Sequence, residues 1–267
     1  MSEQAQHAHD DPQLLARISQ AANQAGLGAH RAAYPAASNQ AKPGCMVAVM
    51  VALGVAMVGF AAGGYPAVSL IAVVPLLIVL FGFLKGRSVS AKNEGARLDL
   101  FEHGLTSAFQ GRLRAFRYDS TTVLQHIVRH TRNGVHTHTT YAYTLTDTTG
   151  ESTVLREGYA RPTEWGPAIQ ESVTRAQLPT ALAALNAGQR VTFGDLWMSR
   201  EEVGSGVKSV RWPEIQEVKV HNGYVTIKIA GKWRGLTTTM VRQIPNFFVF
   251  LTLAERLRES WGGAPRQ

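Results

Sequence analysis

His126, His130, His136 and His138 crowd one short stretch of the chain. Imidazole ligates transition metals and changes charge near neutral pH, so metal binding or proton transfer is the chemistry such a cluster offers. Between them, Asn133-Gly134 reads as a type I′ hairpin turn, whose two central positions both need positive φ. A two-residue turn pairs His130 with Thr137 and Arg129 with His138. Strand alternation then puts His126 and His130 on one face and His136 and His138 on the other. One ion does not reach all four in that register. His126-Ile127-Val128-Arg129-His130 also lacks the glutamate and the helical pattern of a zincin. No metal ligand set and no cofactor are assigned. A histidine-dependent metal-binding membrane enzyme or transporter accessory subunit is the alternative reading of the whole chain.

Cations beside aromatic rings form the second group. Arg117 and Arg211 stand at matching places in Phe116-Arg117-Tyr118 and Val210-Arg211-Trp212. They are either a ligand-facing pair or stems that cover their aromatic neighbours while the charge stays in water. Lys228, Lys232 and Arg234 border a predicted turn around Trp233, and a Trp held between cations suits contact with anionic headgroups. No Gly-rich phosphate loop, nucleophile elbow or close carboxylate pair occurs at a meaningful spacing. A non-enzymatic binding protein is therefore expected.

Composition narrows the setting. The chain has 267 residues, 45% of them apolar and 17% charged, which suits a folded protein, and its net charge is +8. Most of the excess lies beyond residue 87. Proximity to an anionic bilayer explains that sign without nucleic acid. Cys45 is the only cysteine, which leaves no intrachain disulfide and no cysteine-rich zinc site.

The elements that would position these residues fall into three parts. Residues 1–44 read as a cytoplasmic segment with a short amphipathic helix at about 12–25, opened by Asp10-Asp11-Pro12, and then a linker from His30 to Gly44. Residues 45–84 read as a transmembrane hairpin, with helices at about 45–62 and 66–84, because neither run contains a charged residue. Arg31, Lys42, Lys85 and Arg87 flank the pair, so both termini are expected in the cytoplasm of a multi-pass inner (plasma) membrane protein.

Beyond Lys92 the period of the pattern becomes two. Six strands and closing helices are expected over residues 93–187, one helix at Trp165–Ala176 and a second, short one between Pro179 and Gly188. Six more strands and a helix follow over 188–261, with Asn222-Gly223 as a second hairpin turn. Leu98-Asp99-Leu100-Phe101 aligns with Val191-Thr192-Phe193-Gly194, and the two apolar-Arg-aromatic triplets align with each other, which suggests duplication. Phe101, Phe193, Trp212 and Phe250 fall on the apolar phase of their elements and are expected in the core.

Leu100-Phe101-Glu102-His103-Gly104-Leu105, Arg211-Trp212-Pro213-Glu214-Ile215 and Ile244-Pro245-Asn246 carry a family resemblance. The chain resembles an uncharacterised bacterial membrane family, a domain of unknown function, similar to transmembrane-hairpin proteins with tandem pleckstrin-homology-like (PH-like) domains. That resemblance implies an α+β membrane protein, with a two-helix transmembrane hairpin followed by mainly β tandem PH-like modules, each closed by a helix. It also implies a membrane-anchored binding or scaffold protein whose partners are the lipid bilayer, anionic headgroups or a cytoplasmic or membrane protein, and not nucleic acid. His103-Gly104 stands where phosphoinositide-binding relatives carry a basic loop, so a stereospecific inositol-lipid pocket is not expected.

Overall fold

The computed structural model describes residues 12–37, 95–156 and 158–261, and between them only residues 49, 51–55, 58, 77, 80 and 81, each helical. Helix α1 spans Pro12–Gln24. Four antiparallel strands follow in the order β1 (His30–Pro35), β2 (Arg97–Phe101), β3 (Gly104–Phe109) and β4 (Arg112–Arg117). A three-stranded sheet comes next, from β5 (Thr122–Arg132), β6 (Val135–Thr146) and β7 (Ser152–Leu155), and then helix α2 (Pro162–Asn186).

The same plan then recurs. Strands β8 (Val191–Phe193), β9 (Leu196–Met198), β10 (Glu202–Ser205) and β11 (Lys208–Arg211) form a four-stranded sheet. Strands β12 (Ile215–His221), β13 (Tyr224–Ile229) and β14 (Thr237–Met240) form a three-stranded one, and α3 (Phe247–Trp261) closes the chain. Asn133-Gly134 and Asn222-Gly223 both take the two positive φ angles a type I′ turn requires.

Each half therefore has seven strands where the pattern suggests six. In the first half the extra strand is β1, which lies in the stretch expected to be linker. It pairs along β2 from Pro35↔Arg97 to Ala32↔Leu100, although the two strands lie far apart in sequence. In the second half it is β10, Glu-Val-Gly-Ser, too polar to alternate visibly. The order of strands makes β2 equivalent to β9, so the expected match of Leu98–Phe101 to Val191–Gly194 is one strand out. The match of the two arginine triplets stands, because each ends the fourth strand of its sheet.

No helix among the described residues is long and apolar enough to cross a membrane. A span needs about 20 consecutive apolar residues in one helix. Here α1 has 13 residues and α3 has 15, and the 25 residues of α2 include Glu164, Glu171 and Arg175. The transmembrane hairpin is thus not part of the described fold, and the multi-pass inner-membrane placement drawn from it does not hold. An uncharged run meets one requirement of a span but does not establish a continuous helix. Residues 45–84 lie largely outside the described residues.

Helix α2 runs unbroken through Pro167 and Pro179, where the sequence suggests a stop and a second helix. Proline forfeits a backbone hydrogen bond inside a helix, and packing at both ends compensates. Near its start, Trp165, Ile169 and Val173 enter the first core with Leu98, Leu100, Phe116 and Tyr143. Near its end, Leu178, Leu182 and Leu185 join the second core with Trp212, Val225, Ile227 and Phe250. A third cluster lies under α1, where Ile18, Ala22 and Leu27 cover Phe101 on the outer face of the first sheet. Phe101, Phe193, Trp212 and Phe250 are all buried, as their strand and helix phases imply.

Asn246, at φ 48°, joins the halves. Its backbone N–H donates to Val123 O at 2.9 Å, and its Oδ1 accepts from Val123 N–H at 2.7 Å. Its Nδ2 donates to Gln177 Oε1 at 2.7 Å, while Gln177 Nε2 donates to the carbonyls of Tyr118 and Thr121 at 2.7 and 2.8 Å. Asn246→Ala removes two part-buried side-chain hydrogen bonds and leaves alanine in the left-handed region. A loss of about 3 kcal/mol in equilibrium unfolding of the full chain is expected. Asn246→Gly, which relieves the backbone but not the hydrogen bonds, should lose less. Equal stability of all three proteins would show that the bridge carries no load.

Candidate functional site

The expected cations around the β13–β14 turn are placed differently. Lys228 lies on β13, and its Nζ meets Glu217 Oε2 of β12 at 3.0 Å, a contact that holds the Glu217 carboxyl below its usual range. Lys232 and Arg234 flank Trp233 in the β13–β14 turn, and neither forms an ion pair among the described residues. The turn is fixed at its base, where Lys232 N–H donates to Ile229 O and Leu236 N–H donates to Ile227 O. Among the described residues nothing packs on the indole, which is 99% exposed.

The β10–β11 turn projects from the same end of this half, because Ser205 Oγ at the end of β10 reaches Thr237 Oγ1 at the start of β14 at 3.5 Å. Its tip, Val207, is also fully exposed, at 101%. Lys208 follows it, and Asp195 of the adjoining β8–β9 turn accepts Gly206 N–H through its backbone carbonyl at 2.9 Å. Two apolar side chains with no packing partner, three cations and one carboxylate thus occupy neighbouring turns. Sequence reasoning singled out Trp233 and its flanking cations but missed Val207, whose place depends on β10.

The two equivalent arginines do different work. Arg117 chelates Asp119, with Nη2–Oδ2 at 2.6 Å, and its Nη1 donates to Ala25 O at 3.1 Å and Gly26 O at 3.3 Å. It thereby satisfies carbonyls just past the end of α1, where a helix leaves acceptors unpaired and favours a cation. Arg211 pairs with Glu214, its Nε 3.3 Å from Oε1, from an exposed position. A matched ligand-facing pair is not what this geometry presents. Tyr118 and Trp212, the aromatic neighbours, are buried.

The histidine hairpin departs from its expected register through a β-bulge. His130 pairs with His138 and Thr131 with His136, which leaves Thr137 as the extra residue. The His130 and His138 rings stack with centroids 4.3 Å apart and planes within 9°. His126, His130 and His138 now share a face. His136 sits on the other, where its Nε2 meets Thr139 Oγ1 at 3.0 Å. Among the described residues no group of three or more ligating side chains is placed to hold a metal ion.

A buried carboxylate was missed by sequence reasoning. Asp99 on β2 is 1% exposed, and its carboxylate takes Arg97 Nε at 2.8 Å, Arg97 Nη2 at 3.0 Å and His30 Nε2 at 2.9 Å. An acidic residue between two leucines of a strand was the available signal, since buried carboxylates need partners. With its oxygens engaged by a guanidinium and an imidazole, Asp99 acts as a clamp holding β1 to β2.

Arg117→Ala is expected to loosen α1, with a loss of about 1 kcal/mol and faster amide exchange across residues 18–26. Arg211→Ala should stay within about 0.5 kcal/mol of the parent, as exposed ion pairs do. Arg117 also holds the Asp119 carboxyl below its usual range. The part of the effect due to that pair is therefore present above the ordinary carboxylate range and fades as pH falls through the depressed value. Indistinguishable exchange in the two variants would contradict the capping role.

No curated protein and no solved structure matches this sequence. One family model does, over residues 1–260, and its description is "Family of unknown function (DUF6585)". The match takes in α1, both sets of strands and nearly all of α3, so the chain belongs to the DUF6585 family of unknown function.

Proposed function

We propose that this protein is a non-catalytic binding protein, built from two PH-like halves, that docks reversibly on anionic headgroups through the paired turns at the end of its second half. The observation that carries the reading is the exposure of Trp233 and Val207 beside Lys208, Lys232 and Arg234. A fully exposed indole costs solubility and contributes nothing to the core, whereas at a lipid–water boundary its apolar body and polar N–H are both satisfied. Cations close to an anionic surface add roughly 1 kcal/mol each at physiological ionic strength. The PH-like assignment draws on the four-plus-three strand plan followed by a helix in each half. It concerns architecture and leaves the ligand to be decided by the turns.

A local probe tests this on the full chain without interference from other apolar segments. Val207→Cys in a Cys45→Ser background, labelled with an environment-sensitive fluorophore, should shift to the blue on anionic vesicles and not on neutral ones. Raising salt until the Debye length falls to about 3 Å should abolish the shift. Trp233→Ala should weaken it without altering thermal stability, because the ring has no packing partners. A label at Val135, on the opposite half, should stay unchanged. An equal response on neutral vesicles, or none on anionic vesicles at low salt, overturns the reading.

A further inference from the structure

The β5–β6 hairpin of the first half is much longer than its counterpart in the second. Its strands run to 11 and 12 residues, against 7 and 6 in the equivalent β12 and β13. β7 pairs with β6 only from Tyr143 to Thr146, so Val135–Ala142 extends beyond it with β5 as its single neighbouring strand among the described residues. The tip of the arm, from Arg129 to His138, is exposed on both faces, Ile127 and Val135 also stay exposed, and Thr139–Ala142 are half-buried, with Tyr141 packed against the first core. A two-stranded ribbon that buries so little is marginal in water, and a third strand stabilises it.

The two edges of this arm differ. β5 carries Arg129 and Arg132, charges of the kind that discourage edge pairing. β6 reads Val-His-Thr-His-Thr-Thr-Tyr-Ala from 135 to 142, rich in strand-forming residues, without Pro, Gly, Lys, Arg, Asp or Glu. The bulge at Thr137 is the sole blunting device on it. From His138 to Ala142 the outer row of backbone N–H and C=O groups meets no strand among the described residues.

We propose that the exposed edge of β6 pairs antiparallel with the same edge of a second copy of this chain. A twofold axis through Thr139 or Thr140 makes the strand its own complement. It opposes His138 to Thr140 or Ala142, and Thr139 to itself or Tyr141, so no Lys, Arg, Asp or Glu of one copy faces a like charge of the other across the axis. The arginines that would repel lie one strand away in each copy. Joined in this way, two ribbons become a four-stranded sheet, and each arm gains the neighbour it lacks.

Cysteine scanning from His136 to Tyr141 in the full-length Cys45→Ser protein tests the proposal under mild oxidation. Intermolecular disulfide should form at the axis position about tenfold faster than at Gln189→Cys, an exposed control in the α2–β8 connection, because pairing raises the local thiol concentration. Thr139→Glu supplies the second arm of the test. Opposite Arg129 it supports the hairpin within one chain, yet it brings two carboxylates close together across either axis. It should move the monomer–dimer midpoint in sedimentation to at least several-fold higher concentration, with the thermal transition kept. Crosslinking no faster than at Gln189, or a dimer of unchanged affinity in Thr139→Glu, refutes the β6 interface.

Discussion

Asn246 holds one amide and one backbone position at the junction of everything else. Its Oδ1 and N–H complete a reciprocal pair with Val123 at the start of β5, and its Nδ2 fixes Gln177, which in turn binds the carbonyls of the β4–β5 connection. The second sheet of the first half, the middle of α2 and the start of α3 therefore meet at a single residue. Buried polar networks earn their place only when every member is satisfied, and here each amide atom of the pair has a partner. The left-handed φ at Asn246 is tolerated by asparagine better than by other non-glycine residues. That backbone turn launches α3 back across the sheet of its own half.

Helix α2 extends the same constraint over a longer distance. Its first turns complete one core and its last turns enter the other, so the two halves share a structural element in addition to the Asn246 contact. Two prolines within it would usually mark breaks. Because Trp165, Ile169 and Val173 are anchored before the second proline, and Leu182 and Leu185 after it, breaking the helix would expose apolar surface in both cores. Duplication alone would give two independent modules. The shared helix makes the halves interdependent.

Much of this was legible in the residues. The type I′ turns, the alternation of β2 to β6 and β11 to β14, the α1 face and the buried aromatics follow from local chemistry, and local chemistry is what a sequence displays. What it hid depends on contacts between distant residues. β1 is six residues with little alternation, and only pairing with β2, across a long excursion of the chain, makes it a strand. β10 is hidden by Gly204, which sits beneath the Trp197 ring where any Cβ would collide. The bulge at Thr137 changes the histidine pairing through one extra residue, which no pattern of apolar positions signals. The expectation of a membrane hairpin failed for a related reason, since uncharged composition is local while helix continuity and packing are not.

The halves differ most at their exposed ends, and this is where duplication frees surface for new use. Both cores draw apolar residues from equivalent strands, so neither can lose them without loss of stability. Beyond the cores the constraint lapses. The first half has lengthened its β5–β6 hairpin and filled it with histidine, threonine and arginine, while the second kept the corresponding hairpin short and placed Trp233 and Val207 on neighbouring turns. The arginine triplets mark the same divergence. At one, the cation was drawn inward to finish α1, a helix the second half does not have, and at the other it remained an ordinary surface ion pair. Equivalent positions thus carry unequal partners, because only the first half has a helix at α1 for its arginine to cap.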